Sequence, residues 1–150
     1  MSITPQHLRR KNFDWKEFFV SELATRLDID NITTNPALLF NGMVLADKMQ
    51  EIRNKLGKPI KINSAYRCLT LNKKIGSKDS SQHVQFQACD FTSDFGTPEQ
   101  IVKFLKKEKI TVDQCLIEFD SWVHISIKNR DNRNQFAYLD KKGFRLLTDD

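Results

Sequence analysis

The sequence predicts an α+β domain. Three observations carry that expectation. One long amphipathic stretch has clean start and stop signals. Several short segments alternate apolar and polar residues in the period of strands. Those strand segments lie next to each other in hairpin-like pairs rather than in regular alternation with helices. The 150 residues suit one domain. With 24 Lys and Arg against 19 Asp and Glu, the net charge is +5, and 39% of residues are hydrophobic. This is a globular balance, not a disordered or collagenous one.

Residues 13–27, FDWKEFFVSELATRL, bring Trp15, Phe18, Phe19, Leu23 and Leu27 near helical spacing, which predicts a short helix or a pair of turns. Asn35-Pro36 opens the clearest element. Asn caps free N–H groups, and Pro at the first helical position loses no hydrogen bond. Leu38, Leu39, Leu45, Met49, Ile52 and Leu56 then form one apolar stripe, and Gly57 supplies a stop, so a helix is expected over 36–56.

Ile60 and Ile62 alternate with Lys61 and Asn63 as in a half-buried strand. LTLNKKI (69–75) suits a short helix ending at Gly76, and 76–82 a polar loop. FQACDF (86–91) reads as a second strand. Thr97-Pro98-Glu99-Gln100 is a capping box opening a helix over about 98–108. QCLIEF (114–119) and WVHISI (122–127) are two further strands around Asp120-Ser121. Residues 136–140 and 144–147, around Lys141-Lys142-Gly143, suit a terminal hairpin.

Other function classes leave no trace. No apolar run approaches the roughly 18 residues of a membrane span, and MSITPQHLRRKNFDW has no apolar centre, so no signal peptide is expected. The positive charge permits an anionic partner. Without a basic helix or an aromatic-and-basic stripe, however, nucleic acid is not the expected one. Cys68, Cys89 and Cys115 are widely spaced and odd in number, which predicts reduced thiols rather than a disulfide framework.

The chemistry rests on few residues. Of three histidines, His7 lies in a basic terminal stretch, His83 in the polar loop and His124 in a strand segment. Taken singly, each suits a structural role. Asp90, however, follows His83 by seven residues, and His124 lies in the next hairpin. Two imidazoles and one carboxylate are a normal zinc set when a fourth position is left for water. Such a set acidifies a water to a pKa of about 7 and polarises a carbonyl. Residues an odd number apart face opposite sides of a straight strand, so His83 and Asp90 can meet only if the chain bends between them.

The run PIKINSAYRCLTLNKKIGSKDSSQHVQFQACDF, followed by WVH, resembles the zinc D-Ala-D-Ala carboxypeptidase and peptidoglycan endopeptidase family, in its short phage-associated branch. The resemblance rests on Ser64-Ala65-Tyr66-Arg67, Leu71-Asn72, Ser81-Gln82-His83, Ala88, Asp90 and Trp122-Val123-His124, and covers about 13–138. It implies the small α+β fold shared with the Hedgehog signalling domain: a mostly antiparallel sheet with the site on one face and helices around the other. It implies Zn2+ held by His83, Asp90 and His124. Arg67 is then the group beside the metal that stabilises the oxyanion, and Ser81, Tyr66 and Trp122 are the substrate-binding residues. The implied substrate is the stem peptide of peptidoglycan, cut as by a carboxypeptidase or an endopeptidase. The implied setting is a phage endolysin or virion-associated wall hydrolase, reaching the wall by release or delivery.

A general base must also be present. Many members carry an acid three residues before the final His, where this chain has Ser121; Glu118 and Asp120 are the nearby carboxylates. The E-F-x-x-W-V-H arrangement of the branch favours Glu118. Across a two-residue turn, Glu118 would face Val123 and point away from His124. With a three-residue loop or a bulge, it pairs with Trp122 and shares the face of His124. Asp120 needs only to curl back from the turn. The family's SGYR glycine is Ala65 here, and the glycine of its HxxGxAxD run is Phe86, whose ring must enter the core or the cleft. Phe86 and Ser121 together leave a second reading open, a non-catalytic module of the same fold in a larger assembly.

Overall fold

Short capped elements lead into one long helix. The structure, a computed structural model, describes residues 2–148. Two 3-10 turns, Pro5–Leu8 and Trp15–Phe19, precede a short helix, α1 (Glu22–Arg26). Asp14 and Ser21 side chains accept the amides of Lys16 and Ala24, and so start the second turn and α1. Helix α2 (Pro36–Leu56) follows, with Asn35 Oδ1 accepting from the amides of Ala37 and Leu38 and with Gly57 left-handed at φ 66°. Its buried stripe is Leu39, Leu45, Ala46, Met49, Ile52 and Leu56.

Strand β1 (Ile60–Ser64), helix α3 (Leu69–Ile75), strand β2 (Ala88–Ser93), helix α4 (Pro98–Lys107) and strands β3 (Gln114–Glu118), β4 (Trp122–Ser126), β5 (Gln135–Asp140) and β6 (Gly143–Leu146) complete the chain. The six strands form one sheet in the order β1-β2-β4-β3-β5-β6. Only the β3–β5 pairing is parallel. This is the expected α+β architecture with a mostly antiparallel sheet.

One boundary differs in an informative way. The strand expected over 86–91 begins at Ala88, because Phe86 is left-handed at φ 59° and Gln87 N–H closes a turn onto Gln82 C=O. That turn is the bend His83 and Asp90 require. The Phe86 ring enters the core, fully buried against Tyr66 and Phe19, with centroids 5.2 and 5.4 Å away. Gly42 of α2 makes room for it: a Cβ there would lie 2.9 Å from both the Phe86 ring and Leu8.

Alternation divides the sheet into two faces. Cys89, Phe91, Cys115, Ile117, Val123 and Ile125 point to one face, pack with the stripes of α2 and α4, and are buried. Asp90, Leu116, Glu118, Trp122 and His124 belong to the other. The cysteines are free thiols, and burial pushes those of Cys89 and Cys115 well up. No helix among the described residues is long and apolar enough to cross a membrane.

Candidate metal centre

Register brings the first two groups together. Asp90 of β2 lies directly opposite His124 of β4, and Asp90 Oδ1 is 2.8 Å from His124 Nδ1. The third group arrives from the turn before β2. His83 is 3% exposed, and its Nε2 lies 3.3 Å from Asp90 Oδ2. His83 Nδ1 donates to Ala65 C=O at 2.7 Å, which orients the ring and leaves Nε2 facing Asp90. The two imidazole rings stand edge to face at 5.3 Å.

A nitrogen from each histidine and a carboxylate oxygen therefore lie within 4.8 Å of one another. Tetrahedral zinc with bonds of about 2.1 Å needs donors roughly 3.4 Å apart; the 3.3 Å between His83 Nε2 and Asp90 Oδ2 suits it, and His124 Nδ1 sits nearer, at hydrogen-bond distance from Oδ1. The donor set is also chemically right: two neutral imidazoles and one anion, with a coordination position to spare. Burial alone would raise the Asp90 carboxyl. Hydrogen bonds from His124 and His83, and their charge, outweigh that and hold it well below the usual carboxylate range. His124 is buried too, which lowers its pKa, but Asp90 and then Glu118 overcome burial and raise it.

Glu118 joins the cluster through the hairpin. Glu118 pairs with Trp122, so the turn has three residues, Phe119 to Ser121, with Phe119 and Asp120 left-handed at φ 50° and 57°. This is the odd count that turns Glu118 to the face of His124. Its Oε1 lies 3.6 Å from His124 Nδ1, and its Oε2 accepts from Trp122 Nε1 at 2.9 Å. Asp120 is exposed at the tip of the turn.

Arg67 comes from the other side. An irregularity between Ile62 and Ser64 ends the regular β1–β2 ladder, and the chain passes beside His83: Arg67 N–H donates to His83 C=O at 3.1 Å. Its guanidinium donates from Nη1 to Asn72 Oδ1 at 3.0 Å. Burial lowers the Arg67 pKa while Asp90 and Glu118 oppose the shift, so the guanidinium lies in the field of both carboxylates. Its Nε is a buried donor without an acceptor among the described residues.

The remaining expected residues divide. Ser81 Oγ accepts from His83 N–H at 3.3 Å and so caps the turn that presents His83. Trp122 holds Glu118, as above. Tyr66 does not join the cluster: it is 7% exposed and packed on Phe19 and Phe86. Its core position follows from Phe86, whose ring supplies the wall that Tyr66 packs against. Asn31, which no motif marks, is buried and bonds Phe19 C=O, Tyr66 C=O and Cys68 N–H around the Arg67 segment. A lone Asn in a polar stretch carries no signal for such a task.

No curated protein matches the chain. Residues 11–126, more than half its length and including every donor of this cluster, match the Peptidase M15 family, and the chain belongs to that family of zinc-dependent metallopeptidases.

Proposed function

We propose that this protein is a zinc peptidase that hydrolyses an amide bond in peptidoglycan stem peptides or their cross-links. The observation that carries the reading is the Asp90 carboxylate set between His83 Nε2 and His124 Nδ1, with Glu118 3.6 Å from the same His124 nitrogen. His83, Asp90 and His124 would hold the ion. When bound, it polarises the scissile carbonyl and acidifies a water. Glu118 takes a proton from the attacking water as the C–O bond forms. Arg67 holds the negative charge that develops on the carbonyl oxygen, for which a permanently charged, multi-donor guanidinium is suited. The C–N bond then breaks, and Glu118 gives its proton to the leaving amine. Ser81, bonded to the His83 backbone, and Trp122, bonded to Glu118, are assigned to the substrate.

Two points favour turnover over a non-catalytic module of the same fold. The Phe86 ring points into the core rather than into the site. The absent acid at Ser121 is replaced by Glu118, which the three-residue turn brings beside His124. The resemblance to the phage-associated branch supports a lytic setting, as an endolysin or a virion-associated hydrolase.

The test is a digest of purified peptidoglycan read by mass spectrometry, with zinc-loaded protein beside a chelated sample and His83→Ala. New fragments only with the zinc-loaded wild type are expected, and their masses name the bond. Absence of fragments from a protein that binds one zinc overturns the peptidase reading in favour of the module.

A further inference from the structure

We propose that Asn72 is a positioning residue that sets the direction of the Arg67 guanidinium. The proposal rests on the reading of Arg67 as the oxyanion group. Asn72 is fully buried, on the short helix α3, five residues beyond Arg67. Its carboxamide is fully engaged. Oδ1 accepts from Arg67 Nη1 at 3.0 Å, and Nδ2 donates to Lys78 C=O at 2.8 Å and to Ser77 C=O at 3.3 Å.

These bonds fix which way the amide faces. A carbonyl only accepts and a guanidinium only donates, so the NH2 group must point at the loop and the oxygen must point at Arg67. The loop carbonyls thereby orient Asn72, and Asn72 orients Arg67. The same loop runs on to His83, where Ser81 N–H bonds Lys78 C=O and Ser81 Oγ caps the turn. Arg67 and His83 are also joined through Arg67 N–H on His83 C=O. One amide therefore ties the guanidinium to the segment that delivers a metal-binding imidazole.

A guanidinium in this place needs such a holder. Asp90 and Glu118 both attract it, and neither forms a hydrogen bond with it among the described residues. Without Asn72, the Arg67 head would be free to swing onto one of those carboxylates. It would then spend its charge on the metal ligand or the base instead of the developing oxyanion. A neutral acceptor holds one N–H while leaving the positive charge uncompensated, and that separates Asn from Asp at this position.

A double-mutant cycle tests this on a soluble stem-peptide substrate, with zinc content measured on each protein and the exchange rate of the Arg67 Nη1 protons measured by NMR wherever Arg67 is present. Asn72→Ala is expected to lower kcat by about 10- to 100-fold with KM nearly unchanged, to keep one zinc, and to speed exchange at Arg67 Nη1. In an Arg67→Ala background, the same change should cost less than about threefold, because a residue acting through Arg67 has nothing left to act on. Asn72→Asp keeps the acceptor. It should keep Nη1 protected while lowering kcat, and it serves if Asn72→Ala does not fold. An undiminished Asn72→Ala effect in the Arg67→Ala background overturns the proposal, as does an Asn72→Asp protein whose Arg67 Nη1 protons exchange freely. If Arg67→Ala alone retains full kcat, it is the reading of Arg67 that fails.

Discussion

Glu118 and Trp122 face each other across a three-residue turn, and the indole N–H holds the carboxylate at 2.9 Å. That single register choice puts Glu118 on the side of the sheet that carries Asp90 and His124. A two-residue turn would instead set Glu118 against Val123 and point it away from His124. The cost is two consecutive left-handed residues, Phe119 and Asp120, neither of them glycine.

Glu118→Gln should therefore lower turnover by about 10²- to 10⁴-fold while zinc content stays at one per chain. Asp120→Asn, at the exposed tip, should leave turnover within about twofold. Rates on a soluble stem peptide, beside metal analysis, check both. The reverse ranking would move the base to Asp120.

Phe86 gives a prediction about stability. A left-handed non-glycine residue costs about 1–3 kcal/mol, yet its ring fills the space between Gly42, Tyr66 and Phe19. Phe86→Ala should lose about 3–5 kcal/mol. Phe86→Gly should lose about 1 kcal/mol less than Phe86→Ala, because glycine tolerates the backbone that alanine strains against. Gly42→Ala should cost about 1–3 kcal/mol by overpacking. Urea unfolding of the three variants checks the order.

Much of this was legible in the chain. Asn35-Pro36, Gly57 and the Thr97 capping box mark helix ends through local chemistry, and α2 and α4 begin where those residues stand. Periodicity located the strands but not their order. That β3 pairs with β5 in parallel depends on long-range packing that no local pattern encodes. The same limit holds for the site. Asp90 beside His124 is a matter of register between β2 and β4, and the parity of the 119–121 turn was an open choice until the pairing of Glu118 with Trp122 decided it. Phe86 misled by its type: an apolar aromatic before Ala88 reads as strand, whereas its left-handed backbone makes the bend. Tyr66 likewise sits in a motif beside Arg67, and only the packing of Phe86 explains why it turns inward.

Metal removal should cost stability as well as activity. A ligand that binds only the folded state at about 100 times its Kd adds about 2.7 kcal/mol. Chelation should lower the thermal midpoint, and one equivalent of zinc should restore it. In His83→Ala and His124→Ala, added zinc should leave the midpoint unmoved. An equal zinc response in wild type and both variants would place the ion elsewhere.

Asp113 should make the fold sensitive to acid. Its carboxylate is fully buried beside the site: Oδ2 accepts from Gln82, the residue before His83, and both oxygens accept from Arg133. Burial alone would raise its pKa, but the bonds from the Arg133 side chain and backbone, and from Gln82, bring it down to about 2. An unfolded Asp titrates near 3.9. Because the folded value is the lower one, the unfolded chain takes up the proton first as pH falls. The contribution is complete above about pH 4 and disappears as pH drops through about 2. Arg133 is 47% exposed, so solvent screens the pair, and the contribution is about 1–2 kcal/mol. Asp113→Asn removes it. Urea unfolding of both proteins between pH 7 and pH 2 should show a gap that is constant down to about pH 4 and then closes. A gap that stays the same at pH 2 would mean that Asp113 acts through its shape and neutral hydrogen bonds rather than its charge.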